Sequence, residues 1–545
     1  MLRNSFESYG QQISLVFVGE KNRTYADLSK EVVQLSQRLI DKGIRKGDKV
    51  ALLSSNMPNW GISFFAITSI GAVAVPILPD FSENEIKNII SHSEARAIFI
   101  SENLISRLGN DELDKFELAI LVDNLENIID KAISGSADEK QAEVDEDDLA
   151  SIIYTSGTTG KSKGVMLTHR NIVWDAQQCA TIQPIKSSDR FLSMLPLSHT
   201  FENTLGLLLP VMFGASVHYM KKPPTPSVMI PALKQVKPTI MLSVPLIIEK
   251  IFRKQIEPKF NSNFLIKELY KIAPVRKMLN KVAGKKLMKT FGGQVHFFGI
   301  GGAKLDGTVE KFLREAKFPY AIGYGLTETA PMIAGAGPFR TRWQAVGPVM
   351  EGVEMKINHP DTKTGEGEIW AKGPNVMKGY YKEPELTAEV ITEDGWFKTG
   401  DLGAFDKDGY LHIRGRLKSM ILGASGENIY PEEIESVINN FHHVLESLVI
   451  ERKGRLVALV HLNMEELEAK YNHLREQAGQ LREQAGQLKE QAEQIYNQKI
   501  DELLIELKNY VNSRVNKFSQ VQLVLVQTTP FERTPTQKIK RFLYA

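Results

Sequence analysis

From about residue 10 to residue 410 the chain alternates two hydrophobic rhythms. Short apolar runs rich in Val and Ile give way to longer stretches in which apolar residues recur every three or four positions. The runs KVALLSSN, AIFIS, ASIIYTSG, IMLSVP and VHFFGIGG end in glycine or polar residues and read as buried strands. TYADLSKEVVQLSQRLIDKG reads as an amphipathic helix stopped by Gly43. This alternation predicts an α/β fold of helix-flanked, mostly parallel sheets, in which ligands bind beyond the carboxyl ends of strands. The two longest apolar runs are FFAITSIGAVAVPIL (64–78) and LGLLLPVMFGASV (205–217). Both are too short to span a bilayer, and Pro210 interrupts the second, so both read as buried strands and helices.

The rhythm changes after GYLHIRGRLKSMILGASGENIYPEEIESVINN. A short strand–turn–strand there leads into a helix starting near Pro431, with Glu432 and Glu433 at its positive end. A boundary is therefore expected between Arg414 and Lys418: residues 1–414 form a large N-terminal domain, and 415–545 a small mobile α+β domain with its hinge near 416–418. Within the small domain, LREQAGQ, LREQAGQ and LKEQAEQ repeat. They set Leu474, Ala478, Leu481, Ala485, Leu488, Ala492 and Ile495 at alternating four- and three-residue steps, a heptad pattern. Three heptads make a helix of about 31 Å, and Gly479 and Gly486 each cost it about 1 kcal/mol. Such a seam needs support, from a second subunit in a homodimer or from QKIDELLIELKNYVNSRV folded back as a hairpin. The helical insertion is expected over about 465–512.

Composition narrows the function. At 545 residues the chain exceeds what one core serves, and its net charge of +2 argues against a nucleic-acid binder. The single cysteine, Cys179, excludes an intrachain disulfide and a thiolate metal cluster, fits a reducing compartment and reads as filler. The start, MLRNSFESYG, turns polar too early for a secretory signal, so the cytoplasm is the expected compartment. Residues 250–290 are strongly basic with apolar residues at helical spacing. They read as a solvated helical pair, the sharper alternative being a peripheral contact at the inner membrane surface.

The stretch YTSGTTGKSKG (154–164) ends like a Walker A loop, but Thr155 stands where that loop needs its first glycine. Thr155, Ser156, Gly157, Thr158, Thr159 and Gly160 still offer a dense set of N–H and O–H donors, suited to a polyphosphate, and Lys161 and Lys163 add charge. Downstream follow LPLSHTFE (195–202), FGIGGAKL (298–305), GYGLTETAP (323–331), GWFKTGDLGAFDKDGYLHIRGRLKSMI (395–421), GENIYPEEIE (426–435) and RTPTQKIKR (533–541). In this order and spacing they resemble the adenylate-forming superfamily. LPLSHTFE, SVPLIIEKIF and GASGENIYPEEIE look most like its long-chain fatty acid–CoA ligase branch.

The resemblance implies an ATP-dependent reaction. A carboxylate attacks the α-phosphorus of ATP, pyrophosphate leaves, and the acyl-AMP is then attacked by the thiol of CoA. Bringing two anions together costs about 4 kcal/mol per charge pair at 4 Å and an effective dielectric of 20, so Mg²⁺ and a directed cation are expected. Carried over residue by residue, Lys538 looks like the lysine that bridges the carboxylate and the α-phosphate. Asp401 resembles the aspartate that binds the ribose hydroxyls, and Arg416 the arginine that meets ribose or phosphates. Thr327 is expected at the α-phosphate and Glu328 at Mg²⁺, aided by Thr158. Tyr324 with Gly325 would cover the adenine, while Gly301, Gly302 and Ala303 let base and acyl group pass close to backbone. His199, Thr200 and Phe201 would stand at the mouth of the acyl pocket, with Leu207 to Pro210 and Val244 to Ile248 deeper. Lys418 matches the family's hinge residue, and Ser425 and Gly426 fall on the face expected to meet CoA. Ser162 stands where many of these loops carry proline. The implied partners are small molecules. An acyl carrier protein in place of CoA, a reaction stopped at acyl-AMP, and a non-catalytic adenylate-binding scaffold are the competing readings.

Overall fold

The computed structural model describes residues 1–131, 143–156, 162–261, 263–422, 427–468, 485–534 and 538–544. Contacts divide the chain into two units: Met1–Thr399 with Ala404–Ile413, and Gly400–Gly403 with Arg414–Ala545.

In the first unit, two large sheets carry the α/β pattern. One orders Gly379–Tyr380, Ser162–Thr168, Leu149–Ser156, Val73–Ile77, Lys49–Leu53, Ala97–Ile100, Leu118–Leu121 and Asn127–Asp130. Its four middle pairings, from Leu149–Ser156 to Leu118–Leu121, are parallel. The other orders Leu15–Phe17, Ser216–Tyr219, Arg190–Leu192, Ile240–Ser243, Phe297–Ile300, Tyr320–Tyr324 and Ala334–Ala336, parallel except for the last strand. Glu354–Asn358, Gly367–Lys372, Phe397–Phe405 and Leu411–Arg416 make a smaller sheet through which the chain passes between the units.

The amphipathic stretch is the helix Tyr25–Asp41. Thr24 and Asp27 close a capping box at its start, and Leu28, Val32, Leu35 and Leu39 form its buried stripe. The run at 64–78 splits into the end of the helix Pro58–Ser69 and the strand Val73–Ile77. That helix is buried on nearly all sides because its core cluster joins residues of both sheets, among them Leu52, Phe99, Leu15 and Val217. The run at 205–217 becomes a widened helical turn over Asn203–Leu208, the helix Leu209–Met212 and the strand Ser216–Tyr219. Among the described residues no helix is long and apolar enough to cross a membrane.

The second unit is α+β. Val444–Arg452, Arg455–Leu462 and Leu523–Val526 form a sheet over which Pro431–Ile438 and Ala485–Asn512 pack. Proline opens the helix at Pro431, and Glu432 and Glu433 stand in its first turn. One expectation is corrected here. Ala485–Asn512 is a single continuous helix, so the last heptad does not fold back on the segment that follows it. No proline interrupts these residues, and Leu503, Leu507 and Val511 anchor the helix in the small core. The heptad residues Leu474, Ala478 and Leu481 lie outside the described residues.

Candidate active site

Four parallel neighbours of the seven-stranded sheet end in the segments that carry the sequence motifs. Arg190–Leu192 leads to His199, Ile240–Ser243 to Val244, Phe297–Ile300 to Gly301–Ala303, and Tyr320–Tyr324 to Gly325–Glu328. A parallel sheet gathers such ends on one edge, so motifs far apart in sequence meet there.

Backbone demands explain the glycines at this edge. A Cβ on Gly325 would lie 1.7 Å from the Pro331 carbonyl oxygen, leaving no space for a side chain. Gly302 has φ +86°, and a Cβ on Gly301 would come within 3.2 Å of the Phe201 ring. His199 caps the short helix Thr200–Glu202, its Nδ1 accepting from the Phe201 N–H at 3.2 Å. Thr200 and Phe201 are buried behind it.

Glu328 sits in a single 3₁₀ turn, Thr327–Thr329, that is held from several sides. The Tyr380 hydroxyl donates to Glu328 Oε1 at 2.8 Å, and the Met377 N–H donates to the Glu328 carbonyl at 2.9 Å. Asn375 Nδ2 donates to the carbonyls of Thr329 and Met332 at 2.9 and 2.6 Å. It also reaches Asp175 Oδ1 at 3.3 Å, and Asp175 accepts from the Met332 N–H. Burial pushes the Asp175 carboxyl well above its ordinary range.

Tyr380 also links the carboxylate to the phosphate-loop strands, because Lys163 Nζ lies 5.0 Å from its ring centroid. Thr155 faces Lys163 across the antiparallel pair Leu149–Ser156 and Ser162–Thr168, and the pairing runs to Ser156 opposite Ser162. The strands on either side of the loop therefore form a hairpin. A Walker A loop instead feeds a helix, which answers the ambiguity of its Gly-Lys-Ser ending. Gly157, Thr158, Thr159, Gly160 and Lys161 lie outside the described residues, as do Ser425 and Gly426.

Behind this edge lies an apolar cavity of about 50 Å³. Phe201, Leu205 and Leu209 line one part of it; Leu242, Phe297, Ile322 and Met332 line another. Gln183 gives the lining its one amide side chain, and no charged residue takes part. Cys179, expected to be filler, lines it too, and burial raises its thiol well above the usual range, which favours the neutral thiol there. Of the deeper acyl positions expected from sequence, Leu209 reaches the cavity. Leu207 instead packs in the core against Gly61, and Ile248 in the neighbouring cluster.

In the second unit the structure pairs two expected nucleotide-binding residues with each other. Arg416 Nε lies 2.7 Å from Asp401 Oδ1, and the Asp401 side chain is 7% exposed. Lys418 is exposed in the 3₁₀ turn Leu417–Ser419. Lys538 is exposed, its carbonyl accepts from the Thr534 N–H at 2.7 Å, and the neighbouring Ile539 bridges to Arg533. Arg533 and Arg541, on either side, are tied to Glu446 and Glu435.

Residues 2–381 match the family of AMP-binding enzymes. The chain belongs to that family. A chloroplastic long-chain-fatty-acid–[acyl-carrier-protein] ligase of Arabidopsis thaliana is 29% identical over 86% of this chain and 76% of its own. A long-chain-fatty-acid–CoA ligase of Mycobacterium bovis is 27% identical over 96% and 90%. Among solved structures, O-succinylbenzoate coenzyme A synthetase of Bacillus subtilis in complex with AMP superposes with a TM-score of 0.76 at 23% identity, covering 100% of this chain and 97% of that one. ATP-bound MatB of Rhodopseudomonas palustris gives 0.76 at 22%, covering 99% and 97%. At those identities the structural likeness is one of fold. This AMP-binding enzyme is an adenylate-forming acyl ligase.

Sequence reasoning missed Tyr380, Asp175 and Asn375 in this enzyme. A signal existed for one of them: Asp175 and Cys179 stand four apart on a helix, a polar–thiol pair on its buried face.

Proposed function

We infer that the enzyme activates a medium- or long-chain fatty acid with ATP and transfers the acyl group to the thiol of CoA. The uncharged cavity, whose lining includes Ile300 and Gly323 immediately before Gly301 and Tyr324 in the chain, carries this reading. A buried alkyl chain gains about 0.8 kcal/mol per CH₂, whereas a second carboxylate placed there would lose its hydration with no cation to meet it.

In the first half-reaction a carboxylate oxygen bonds to the α-phosphorus while the bond to the bridging oxygen of pyrophosphate breaks. Lys538 supplies the ammonium that draws the two anions together. Thr327 donates to the α-phosphate, Tyr324 and Gly325 seat the adenine, and Asp401 and Arg416 hold the ribose. Thr155, Ser156 and the hydroxyl-rich loop through Gly160, with Lys163, cradle the outgoing phosphates.

Glu328 is suited to Mg²⁺: its carboxylate is half-buried and held by Tyr380, and Thr158 would add a hydroxyl. Among the described residues no three His, Cys, Asp or Glu side chains converge into a cage. That suits an ion that takes one or two carboxylates and completes its shell with phosphate and water. Bound there, Mg²⁺ would neutralise phosphate charge. In the second half-reaction the thiol sulfur bonds to the acyl carbon, AMP departs, and the thiol proton passes to solvent. Ser425 and Gly426 belong to the CoA-facing surface, and Lys418 is the hinge on which the second unit exchanges its two faces.

A panel of saturated acids from about six to eighteen carbons, assayed for AMP release with CoA and separately with acyl carrier protein, tests the proposal. Release that climbs with chain length and needs CoA is expected. Release with carrier protein alone would assign the acceptor of the Arabidopsis relative, and release only with short dicarboxylic acids would remove the fatty-acid reading.

A further inference from the structure

The helices Phe264–Lys271 and Ala273–Thr290 follow one another in the first unit and present an unusual surface. The longer one docks by a single stripe. Asn280, Gly284 and Leu287 are its buried residues, a Cβ on Gly284 would lie 2.7 Å from Ala316 Cβ, and Arg276 pairs with Glu315 at 2.9 Å. Half a turn away, Met278, Val282, Lys285 and Lys289 form the opposite stripe, with Lys281 and Lys286 on its flanks. A helix pair that merely hides its apolar residues would turn them inward. Here Phe264 is 79% exposed, Leu265 64%, Val282 63% and Met278 59%, and Leu269 and Ile272 between them are exposed as well.

Charge is concentrated on the same segment. Residues 263–290 hold seven lysines and one arginine against a single acid, Glu268, a net of +7 in a chain whose total is +2. Glu268 is taken by Lys271. Lys267, Lys277, Lys281, Lys285, Lys286 and Lys289 have no acidic partner among the described residues.

We propose that this helix pair is a docking surface for an anionic lipid bilayer. Six exposed apolar side chains of the pair enter the headgroup region while the lysines meet lipid phosphates. Apolar side chains set among uncompensated cations are the combination an anionic bilayer offers complements for, since it supplies both negative charge and apolar depth. A second copy of the chain would bring the same positive charge to the contact, and repulsion opposes it. The inference does not rest on which acid the enzyme activates.

Co-sedimentation of the full chain with vesicles of phosphatidylglycerol and phosphatidylcholine, compared with phosphatidylcholine alone, tests it. Binding to the anionic vesicles is expected, falling about tenfold or more at high salt. It should fall comparably in F264S/L265S/V282S and in K277E/K281E/K285E. These side chains are exposed, so both variants should keep wild-type unfolding temperatures and acid-dependent AMP release with a water-soluble acid. Absence of sedimentation, equal binding to neutral vesicles, or binding untouched by both variants would overturn the proposal. So would a lipid-free dimer abolished by F264S/L265S/V282S, which would assign the surface to a second copy.

Discussion

At the scale of single residues, two hydrogen-bonded acids carry separate consequences. Glu328 is held by the Tyr380 hydroxyl, and loss of such a second contact typically costs a metal site ten- to a hundredfold in affinity. Tyr380→Phe is therefore expected to raise the Mg²⁺ concentration for half-maximal ATP–pyrophosphate exchange about tenfold, with little change in unfolding temperature; an unchanged Mg²⁺ profile would detach Glu328 from the metal. Glu202 belongs to stability. It is buried, accepts from Ser193 Oγ at 2.6 Å, and burial pushes its carboxyl from 4.5 up to about 8. The fold thus favours the protonated acid: its contribution is full below pH 4.5 and is lost as pH rises through 8. That shift sets a ceiling of about 5 kcal/mol. The wild type should lose several degrees of unfolding temperature between pH 5 and pH 8 relative to Glu202→Gln, and parallel profiles would show that Glu202 is not the titrating group. Neither acid's environment was legible in the sequence. TFE and TET look alike as short polar stretches, and what separates them is burial, set by which strand ends face them.

Among elements, the strands were the most legible, because buried parallel strands leave continuous Val- and Ile-rich runs whatever their order. KVALLSSN, AIFIS and VHFFGIGG became Lys49–Leu53, Ala97–Ile100 and Phe297–Ile300. Pairing direction was not legible: ASIIYTSG has the same apolar character as its parallel neighbours yet turns back on Ser162–Thr168 as an antiparallel hairpin. The continuous helix Ala485–Asn512 could have been read, since no breaker separates the last heptad from the next segment, but a seven-residue repeat invites a partner helix. The cavity lay beyond reach, for it forms where the helix His169–Ile182, the turn after Phe201 and five strands converge, and no one of these announces it. Its convergence makes a sharp test possible. Ala336 lines the cavity from the edge strand Ala334–Ala336, and Ala336→Leu would fill part of it. If fatty chains occupy that space, kcat/KM for the longest accepted acid should fall about tenfold or more while shorter acids are spared. Equal losses for all lengths would place the acyl chain elsewhere.

For the whole molecule, the proposed chemistry asks one chain to perform two reactions with opposite needs. Adenylation wants a cation at the α-phosphate; thioester formation wants that cation gone and a thiol admitted in its place. Lys538 and Lys418 both belong to the second unit, and their settings suit different tasks. Lys538 lies in sequence between Arg533 and Arg541, whose ion pairs to Glu446 and Glu435 tie the chain on both sides of it to the small sheet and the helix Pro431–Ile438. It should therefore travel with the unit as a rigid part. Lys418 lies in a three-residue turn just past the last strand that joins the units, exposed and without a share in the core, where a change of φ and ψ would disturb little packing. Proline fixes φ near −65° and would stop such a change. Lys418→Pro should keep acid-dependent ATP–pyrophosphate exchange within about threefold of wild type while thioester formation falls a hundredfold or more, roughly the 3 kcal/mol that a disfavoured backbone state costs. Lys538→Ala should show the mirror image, losing exchange by a similar factor yet converting supplied acyl-AMP to thioester. Removal of a point charge does not hinder a turn, and stiffening a turn does not remove a charge, so the two defects separate only if one unit serves both steps in succession. Were both variants to lose both half-reactions in equal measure, the second unit would have to act in a single arrangement, and Lys418 would be an ordinary surface lysine.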